Sequence, residues 1–177
     1  MGEDAVNRAL RRFVARYRFT NGPYPRSVDL VEMLREEART PADRALVTDL
    51  FERITLYDLS VATPTAVQRP DGRWDVTVPV TARKLYVAED GRETQGPLAE
   101  PIDIGLFDSD PAEDALSRSA VIRLEPRELR TGVQVLRFVT SRQPTHAAVD
   151  PYGLYIDRAA EDNVAAVEVR SVDARVR

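Results

Sequence analysis

The stretch that decides the fold is Trp74-Asp75-Val76-Thr77-Val78-Pro79-Val80-Thr81-Ala82. Its large apolar residues stand at every second position, which is typical of a β-strand with one buried face and one wet face. Lys84-Leu85-Tyr86-Val87 continues the strand. Glu89-Asp90-Gly91-Arg92 then predicts a hairpin turn, since glycine accepts positive φ. The sequence therefore predicts an antiparallel sheet built around this strand.

Further short strands are predicted on both sides of it. They fall at residues 61–67, before the turn Pro70-Asp71-Gly72, and then at 102–107, 121–124, 133–139, 146–149 and 164–169, with 125–132 as a turn region. About seven short strands, with turn signals roughly every 10 residues, favour an antiparallel immunoglobulin-like β-sandwich. A barrel of about five to seven strands is the alternative.

The first third of the chain has the 3.6-residue period of helices. We predict helices at 3–19, at 28–39 with Ser27 as the N-cap, and from Pro41 to about Ile54 with Thr40 as the N-cap. The residues expected to face inward are Val6, Leu10, Phe13, Val14 and Tyr17 in the first helix and Leu46, Val47, Leu50, Phe51 and Ile54 in the third.

These patterns predict a mostly β chain with an N-terminal helical segment of about three helices. We assign residues 1–57 to the helical segment, 58–170 to the immunoglobulin-like β-sandwich and 171–177 to a tail. We expect the first two to pack together as one unit.

Composition excludes several functional classes. The chain has 177 residues, 43% of them hydrophobic and 31% charged, with a net charge of −4, which argues against nucleic-acid binding. It contains no cysteine and one histidine, so thiolate catalysis and a zinc centre held by cysteines or by two histidines are excluded within it. No apolar run approaches the ~20 residues of a membrane-spanning helix.

Four groups of residues are candidate sites. His146 has no nucleophile-elbow sequence nearby, so we interpret it as a surface or strand-edge residue. The stretch 150–163 carries four carboxylates and an asparagine, which suit calcium, but its spacing does not match an EF-hand loop; because Asp and Asn also form Asx-turns, we interpret it as a structural loop. A second acidic run consists of Asp108, Asp110, Glu113 and Asp114, and is interpreted as a hydrophilic loop. Arg8, Arg11, Arg12 and Arg16 are interpreted as a solvated helix face.

Three stretches read together resemble a known family. They are Thr48-Asp49-Leu50-Phe51-Glu52-Arg53-Ile54-Thr55-Leu56-Tyr57-Asp58, then Ala82-Arg83-Lys84-Leu85-Tyr86 with Glu100-Pro101-Ile102-Asp103-Ile104-Gly105-Leu106-Phe107, and then Asp150-Pro151-Tyr152 with Leu154-Tyr155-Ile156-Asp157-Arg158 and Asp162-Asn163. In their order and residue sequence they are similar to the C-terminal end of bacterial proteins that fuse an ABC-transporter permease to an aminopeptidase N-type zinc metallopeptidase. The resemblance runs from about residue 9 to residue 163.

The resemblance implies that this chain is the last helices and the terminal β-sandwich of such a protein. It implies a soluble domain of a bacterial inner-membrane protein, on a side of the membrane that stays open. Zinc in that family is held by an H-E-x-x-H helix, which this sequence lacks. No catalytic, cofactor-binding or metal-binding residue is therefore carried over, and zinc is expected only in the upstream part of the parent.

The function predicted from the sequence is non-catalytic. We expect the chain to support the upstream peptidase and permease regions of the same parent, or to dock another protein, with no nucleic acid and no direct membrane insertion. The alternative is a free-standing calcium- or carbohydrate-binding β-sandwich, suggested by Asp157 and Asp162 together with Tyr152 and Tyr155. A small hydrolase using paired carboxylates is a third class, which requires two acids in one cleft.

Overall fold

The computed structural model describes residues 1–111 and 120–171. In that part of the chain, three α-helices are followed by ten β-strands in two mainly antiparallel sheets. The predicted fold class, a mostly β chain with an N-terminal helical segment and a β-sandwich, is confirmed. The chain divides into two compact units, Met1–Thr55 and Leu56–Arg177. Of the predicted tail, residues 172–177 lie outside the described residues.

The helical unit contains α1 (Glu3–Tyr17), α2 (Ser27–Glu37) and α3 (Pro41–Phe51). Its core is formed by small and aliphatic side chains from all three helices, namely Ala9, Val31, Met33, Leu34 and Val47. Phe13 and Tyr17 pack against this core from α1. Hydrophobic burial between the helices, rather than helix propensity alone, therefore stabilises these short segments.

The predicted inward faces of α1 and α3 are partly wrong. Ala5 and Ala9 are buried in α1, whereas Val6, Leu10 and Val14 are 37%, 41% and 56% exposed. Alanine on the inner face permits close approach of a neighbouring helix, and periodicity weighted by large side chains overlooks it. In α3 only Val47 of the five predicted residues is fully buried, while Leu50, Phe51 and Ile54 are exposed.

The structure confirms the predicted cap Thr40 and contradicts the predicted cap Ser27. Thr40 caps α3 as predicted, because its Oγ1 accepts a hydrogen bond from the N–H of Asp43 at 3.1 Å and the Asp43 carboxylate accepts one from the Thr40 N–H at 3.2 Å. Ser27 is the first residue of α2 and not its cap. The cap position is Arg26, whose N–H donates to the Asp29 carboxylate at 2.7 Å.

Two arginines of α1 connect it to α2. Arg8 Nε donates to Glu37 at 3.0 Å, and Arg12 binds both Glu37, at 3.1 Å, and Glu36. The arginine-rich face of α1 is therefore partly occupied by interhelical ion pairs. The hydrogen bond from Arg8 is the main reason why the pKa of Glu37 lies below its ordinary value.

The β-sandwich is formed by strands that lie between residues 54 and 170. In chain order they are β1 (Ile54–Val61), β2 (Thr65–Gln68), β3 (Trp74–Val87), β4 (Glu93–Gly96), β5 (Pro101–Phe107), β6 (Val121–Glu128), β7 (Gly132–Thr140), β8 (His146–Val149), β9 (Val164–Ala166) and β10 (Glu168–Arg170). One sheet has the order β1-β3-β2-β10, with β4 and β7 also paired to β3. The other has the order β6-β5-β8-β9. All the pairings with a described register are antiparallel except β2 with β10.

The core lies between these two sheets. Side chains that face inward from both sheets form it, namely Leu59, Val61, Ala66, Val76, Val78, Val80, Ala82 and Phe138 from the first and Ile102, Ile104, Leu106, Ala147 and Val149 from the second. The alternation that predicted β3 is visible in its burial, since every second residue from Val76 to Lys84 is buried.

Three of the predicted segments differ from the strands that the structure shows. The predicted strand 61–67 is split between the end of β1 and the start of β2; Pro64, which has no N–H to donate, lies in the break between them. The predicted turn at 125–132 belongs to β6 as far as Glu128; Pro126 is tolerated there because β6 is an edge strand. The predicted strand 164–169 is β9 and β10, which lie in different sheets.

Within the described part of the chain, no helix combines the length and the apolarity needed to cross a membrane.

Candidate functional site

A buried ion pair lies at one end of the long strand β3. The alternation of β3 places Lys84 on the same inward face as Val80 and Ala82. Lys84 is 2% exposed, and its ammonium group contacts the carboxylate of Glu100, which is 8% exposed and directly precedes β5. A charged pair taken this far out of water is stable only if further hydrogen bonds satisfy its remaining atoms.

Those further hydrogen bonds are present. The Tyr57 hydroxyl donates to Glu100 Oε1 at 3.1 Å, and the Ala99 N–H donates to Oε2 at 3.0 Å. Lys84 Nζ also lies 5.9 Å from the ring centre of Tyr57 and 5.7 Å from that of Tyr86, within cation–π range. Both carboxylate oxygens and the ammonium are therefore held by specific groups.

A second tyrosine extends the arrangement. The Tyr155 ring centre lies 4.6 Å from that of Tyr57, with the ring planes tilted by 50°. Its hydroxyl donates to the carbonyl oxygen of Pro101 at 3.0 Å. Tyr57, Lys84, Tyr86, Glu100 and Tyr155 are called the Lys84 cluster below.

The electrostatics of the Lys84 cluster follow from burial and pairing. Burial alone raises the pKa of Glu100, but the hydrogen bonds from Lys84 and from the Ala99 N–H outweigh it, so the net pKa lies below the ordinary value of 4.5. Burial, followed by the nearby Glu100 carboxylate, raises the pKa of Tyr155 above 10.0. At neutral pH, Glu100 is therefore ionised and Tyr155 is neutral.

The acidic stretch after β8 is a hydrogen-bonded loop. Asp150 is buried, has a positive φ of 45°, and accepts hydrogen bonds from the N–H groups of Leu154 and Tyr155 at 3.0 Å each. Its own N–H donates to the Asp103 carbonyl oxygen at 2.8 Å. This turn places Tyr155 against Tyr57. Burial raises the pKa of Asp150 above its ordinary value of 3.8.

Asp157 connects the same loop to β1. Its Oδ2 accepts hydrogen bonds from the Leu59 N–H at 3.0 Å and from Asn163 Nδ2 at 3.2 Å, and its Oδ1 accepts one from the Ala159 N–H at 3.1 Å. These three N–H donors occupy three of the about four lone-pair sites of the carboxylate. Asn163 Oδ1 is buried without a hydrogen-bond partner among the described residues.

Several carboxylates lie near Asp162, which belongs with Asp157 to the stretch 150–163. Burial is the first reason why the pKa of Asp162 is raised, followed by the negative charges of Asp157, Asp58 and Glu161. Within residues 1–111 and 120–171, no group of three or more histidine or acidic side chains could hold a metal ion. The donor set also does not fit zinc, because the whole chain has one histidine and no cysteine.

His146, at the start of β8, lies beside Phe107 at the end of β5, the strand that Asp108 and Asp110 follow. His146 Nδ1 is 3.0 Å from the hydroxyl of Thr145, and its Nε2 is 3.9 Å from Asp110, beyond hydrogen-bond distance. Asp108 pairs with Arg142 at 2.5 Å. Glu113 and Asp114 lie outside the described residues.

Interpretation of individual motifs did not predict the Lys84 cluster. Two features of the sequence nevertheless indicate a buried lysine. Lys84 is the only lysine in a chain rich in arginine, and the period-2 pattern of β3 places it on the buried face. A lysine in the core register of a strand predicts a buried acidic partner, because an unpaired ammonium there is too costly.

Fold and site define a helical unit followed by an antiparallel β-sandwich whose most developed polar site is a buried, internally satisfied cluster. Comparison of the chain with family models, with curated proteins and with solved structures finds no match.

Proposed function

We propose that this chain is the non-catalytic C-terminal region of a membrane-bound aminopeptidase N-like zinc metallopeptidase fused to an ABC-transporter permease. In this role the helices and the sandwich support the peptidase or dock a partner. The proposal rests on the sequence resemblance and on one structural observation, the meeting of the resembling stretches in a single cluster.

The three stretches that carry the resemblance are far apart in the sequence and close in space. Tyr57 belongs to the first, Lys84 and Glu100 to the second, and Tyr155 to the third. The hydrogen bonds Tyr57–Glu100 and Leu59–Asp157 span 43 and 98 residues. Residues from all three stretches thus meet in the sandwich, which supports kinship of a whole domain rather than chance similarity of short segments.

The chemistry of the cluster favours a supporting role. Glu100 and Lys84 face each other, and Tyr57 and Tyr155 donate to protein acceptors. Groups engaged in this way hold β1, β3, β5 and the loop after β8 together. A catalytic acid or base needs to reach a substrate proton, whereas these atoms are buried and committed to protein partners.

The decisive genetic observation is the reading frame upstream of this sequence. We expect it to encode a multi-span permease and then an H-E-x-x-H helix. A start codon directly before Gly2, with no such segments upstream, would overturn the proposal.

A biochemical test uses the purified chain and aminoacyl p-nitroanilides with added zinc. We expect no hydrolysis, with a zinc aminopeptidase as the positive control. Turnover that a chelator abolishes would contradict a non-catalytic role.

The supporting role is tested in the parent protein once its frame is known. Lys84→Met is expected to lower the temperature at which peptidase activity is lost, while the activity per folded molecule stays unchanged. Arg83→Met is the matched control, because Arg83 is the neighbouring residue on β3 and its side chain is 54% exposed. Equal inactivation temperatures for Lys84→Met and the parent would show that this region does not support the peptidase.

A further inference from the structure

Strand β7 forms an open edge of the larger sheet. It pairs with β3 in an unbroken register from Trp74↔Thr140 to Ala82↔Gly132, and no other described strand pairs with it. Natural proteins protect such edges with proline, lysine, bulges or very short strands. The nine residues of β7 contain neither proline nor lysine, their register has no bulge, and the exposed Arg137 is their one charged residue.

The backbone groups that point outward can be assigned. Pro79 faces Val135, and the Pro79 carbonyl accepts the N–H of Ala62 at 3.0 Å, so it points away from β7. Facing residues of an antiparallel pair exchange both hydrogen bonds or neither. Val135 therefore directs its N–H and C=O to the open edge, as do the residues two positions away on either side, Val133 and Arg137.

A second observation agrees with this assignment. Arg123 of β6 donates to the carbonyl oxygen of Val139 at 3.5 Å, so this carbonyl also points away from β3. The side chains at the same positions are apolar and exposed, at 77% for Val133, 53% for Val135 and 38% for Val139. The edge thus combines free backbone groups with exposed valines.

We propose that β7 pairs antiparallel with β7 of a second copy of this chain, about a two-fold axis at Val135. A two-fold axis requires β7 to be complementary to itself, and charge selects the register. An axis at Arg137 would place Arg137 of one copy directly opposite Arg137 of the other. An axis at Leu136 would leave these two arginines diagonal to each other, about 7–8 Å apart. An axis at Val135 separates them by about 13 Å along the strand and places each beside Val133 of the other copy.

This register also uses the free backbone groups. Val135 faces its own counterpart, and Val133 faces Arg137 on both sides of the axis. Two hydrogen bonds for each of these facing pairs give about six across the interface. The carbonyl of Val139 keeps its contact with Arg123.

Cysteine cross-linking tests the register, because the chain has no cysteine of its own. In Val135→Cys the two Cα atoms are expected about 5.5 Å apart, which permits a disulfide. In Val133→Cys they are about 13 Å apart, which does not. We expect mild oxidation to give a covalent dimer of Val135→Cys at least tenfold faster than of Val133→Cys. Equal rates, or no dimer of Val135→Cys, would overturn the proposal.

Sedimentation equilibrium of the unmodified chain and of two glutamate variants gives an independent test. Val133→Glu places a carboxylate beside Arg137 of the other copy and should strengthen dimerisation several-fold, whereas Val135→Glu places two carboxylates face to face and should weaken it at least tenfold. Val169→Glu on β10 is the control, since Val169 is 52% exposed, much as Val135 is. A chain that stays monomeric at millimolar concentration, or two β7 variants that weaken dimerisation equally, would refute the pairing.

Discussion

Removal of the Lys84 ammonium should unfold the sandwich far more easily than removal of any exposed charge. Lys84→Met keeps an unbranched side chain of similar length but leaves the Glu100 carboxylate buried without its cation. Breaking a buried ion pair in this way costs about 3–5 kcal/mol. Glu100 keeps the hydrogen bonds from Tyr57 and Ala99, so we expect a loss near the lower end, about 3 kcal/mol.

Urea unfolding followed by tryptophan fluorescence measures this loss, because Trp74 is the only tryptophan and packs against the sandwich core. With a denaturant dependence of about 2 kcal/mol per molar urea, the unfolding midpoint should fall by about 1.5 M. The double variant Lys84→Met with Glu100→Gln should recover most of this loss, since no unpaired charge remains buried.

The pH dependence gives the reasoning a second check. The pKa of Glu100 is lowered in the folded protein, so its contribution to stability is present above the ordinary value of 4.5 and is lost as the pH falls through the folded value. In Lys84→Met the Glu100 carboxylate loses its cation, so protonation of Glu100 removes the unpaired buried charge from the variant. The difference in unfolding free energy between the two proteins should therefore shrink as the pH falls below 4.5.

Arg83→Met is the control for position and charge. Its partner Asp58 lies 3.7 Å away, with 45% of the side chain exposed, so a change within about 0.5 kcal/mol is expected. The reasoning is refuted if Lys84→Met and Arg83→Met unfold at the same urea concentration, or if the double variant is less stable than Lys84→Met.

Three other predictions concern the same sandwich. Gly105→Ala should destabilise it by about 1–3 kcal/mol in urea unfolding, because the added Cβ would lie 2.3 Å from the Phe107 ring, and Gly105→Ala with Phe107→Leu should recover part of the loss. Burial raises the pKa of Asp150, so its ionisation costs stability as the pH rises from the ordinary value of 3.8; unfolding curves of Asp150→Asn should lack this component, and a pH profile identical to that of the parent would contradict it. Millimolar calcium should leave the melting temperature unchanged, because Asp157 already accepts three N–H groups; a saturable rise would show an ion site.

The sheet could be predicted where one face is buried and the other wet. Strand β3 satisfies this condition from Val76 to Lys84, and its hairpin turn is confirmed by the bond from the Ala88 N–H to the Arg92 carbonyl oxygen at 2.9 Å. The beginning of β1 was not predicted, because Ile54 and its neighbours continue the apolar spacing of α3. Local periodicity cannot distinguish a helix end from a strand start when both are apolar.

The helix faces and the polar cluster needed information from distant residues. Val6 and Ala9 of α1 are both apolar, and only the position of α2 decides which of them is buried. The partner of Lys84 is 16 residues away, and Tyr57 is 43 residues from Glu100, so no short window contains the cluster. All five residues of the cluster lie in the stretches that carry the family resemblance, although the spacing of those stretches alone gave no reason for their proximity.

Burial of Lys84 has a practical consequence for chemical labelling. Its ε-amino group is the only one in the chain, and it is almost fully shielded from solvent. An amine-reactive ester can acylate it only when the sandwich opens, so the rate of acylation reports that opening without an added probe. Peptide mass spectrometry would then read local stability at a single atom, free of the overlapping signals that many surface lysines produce.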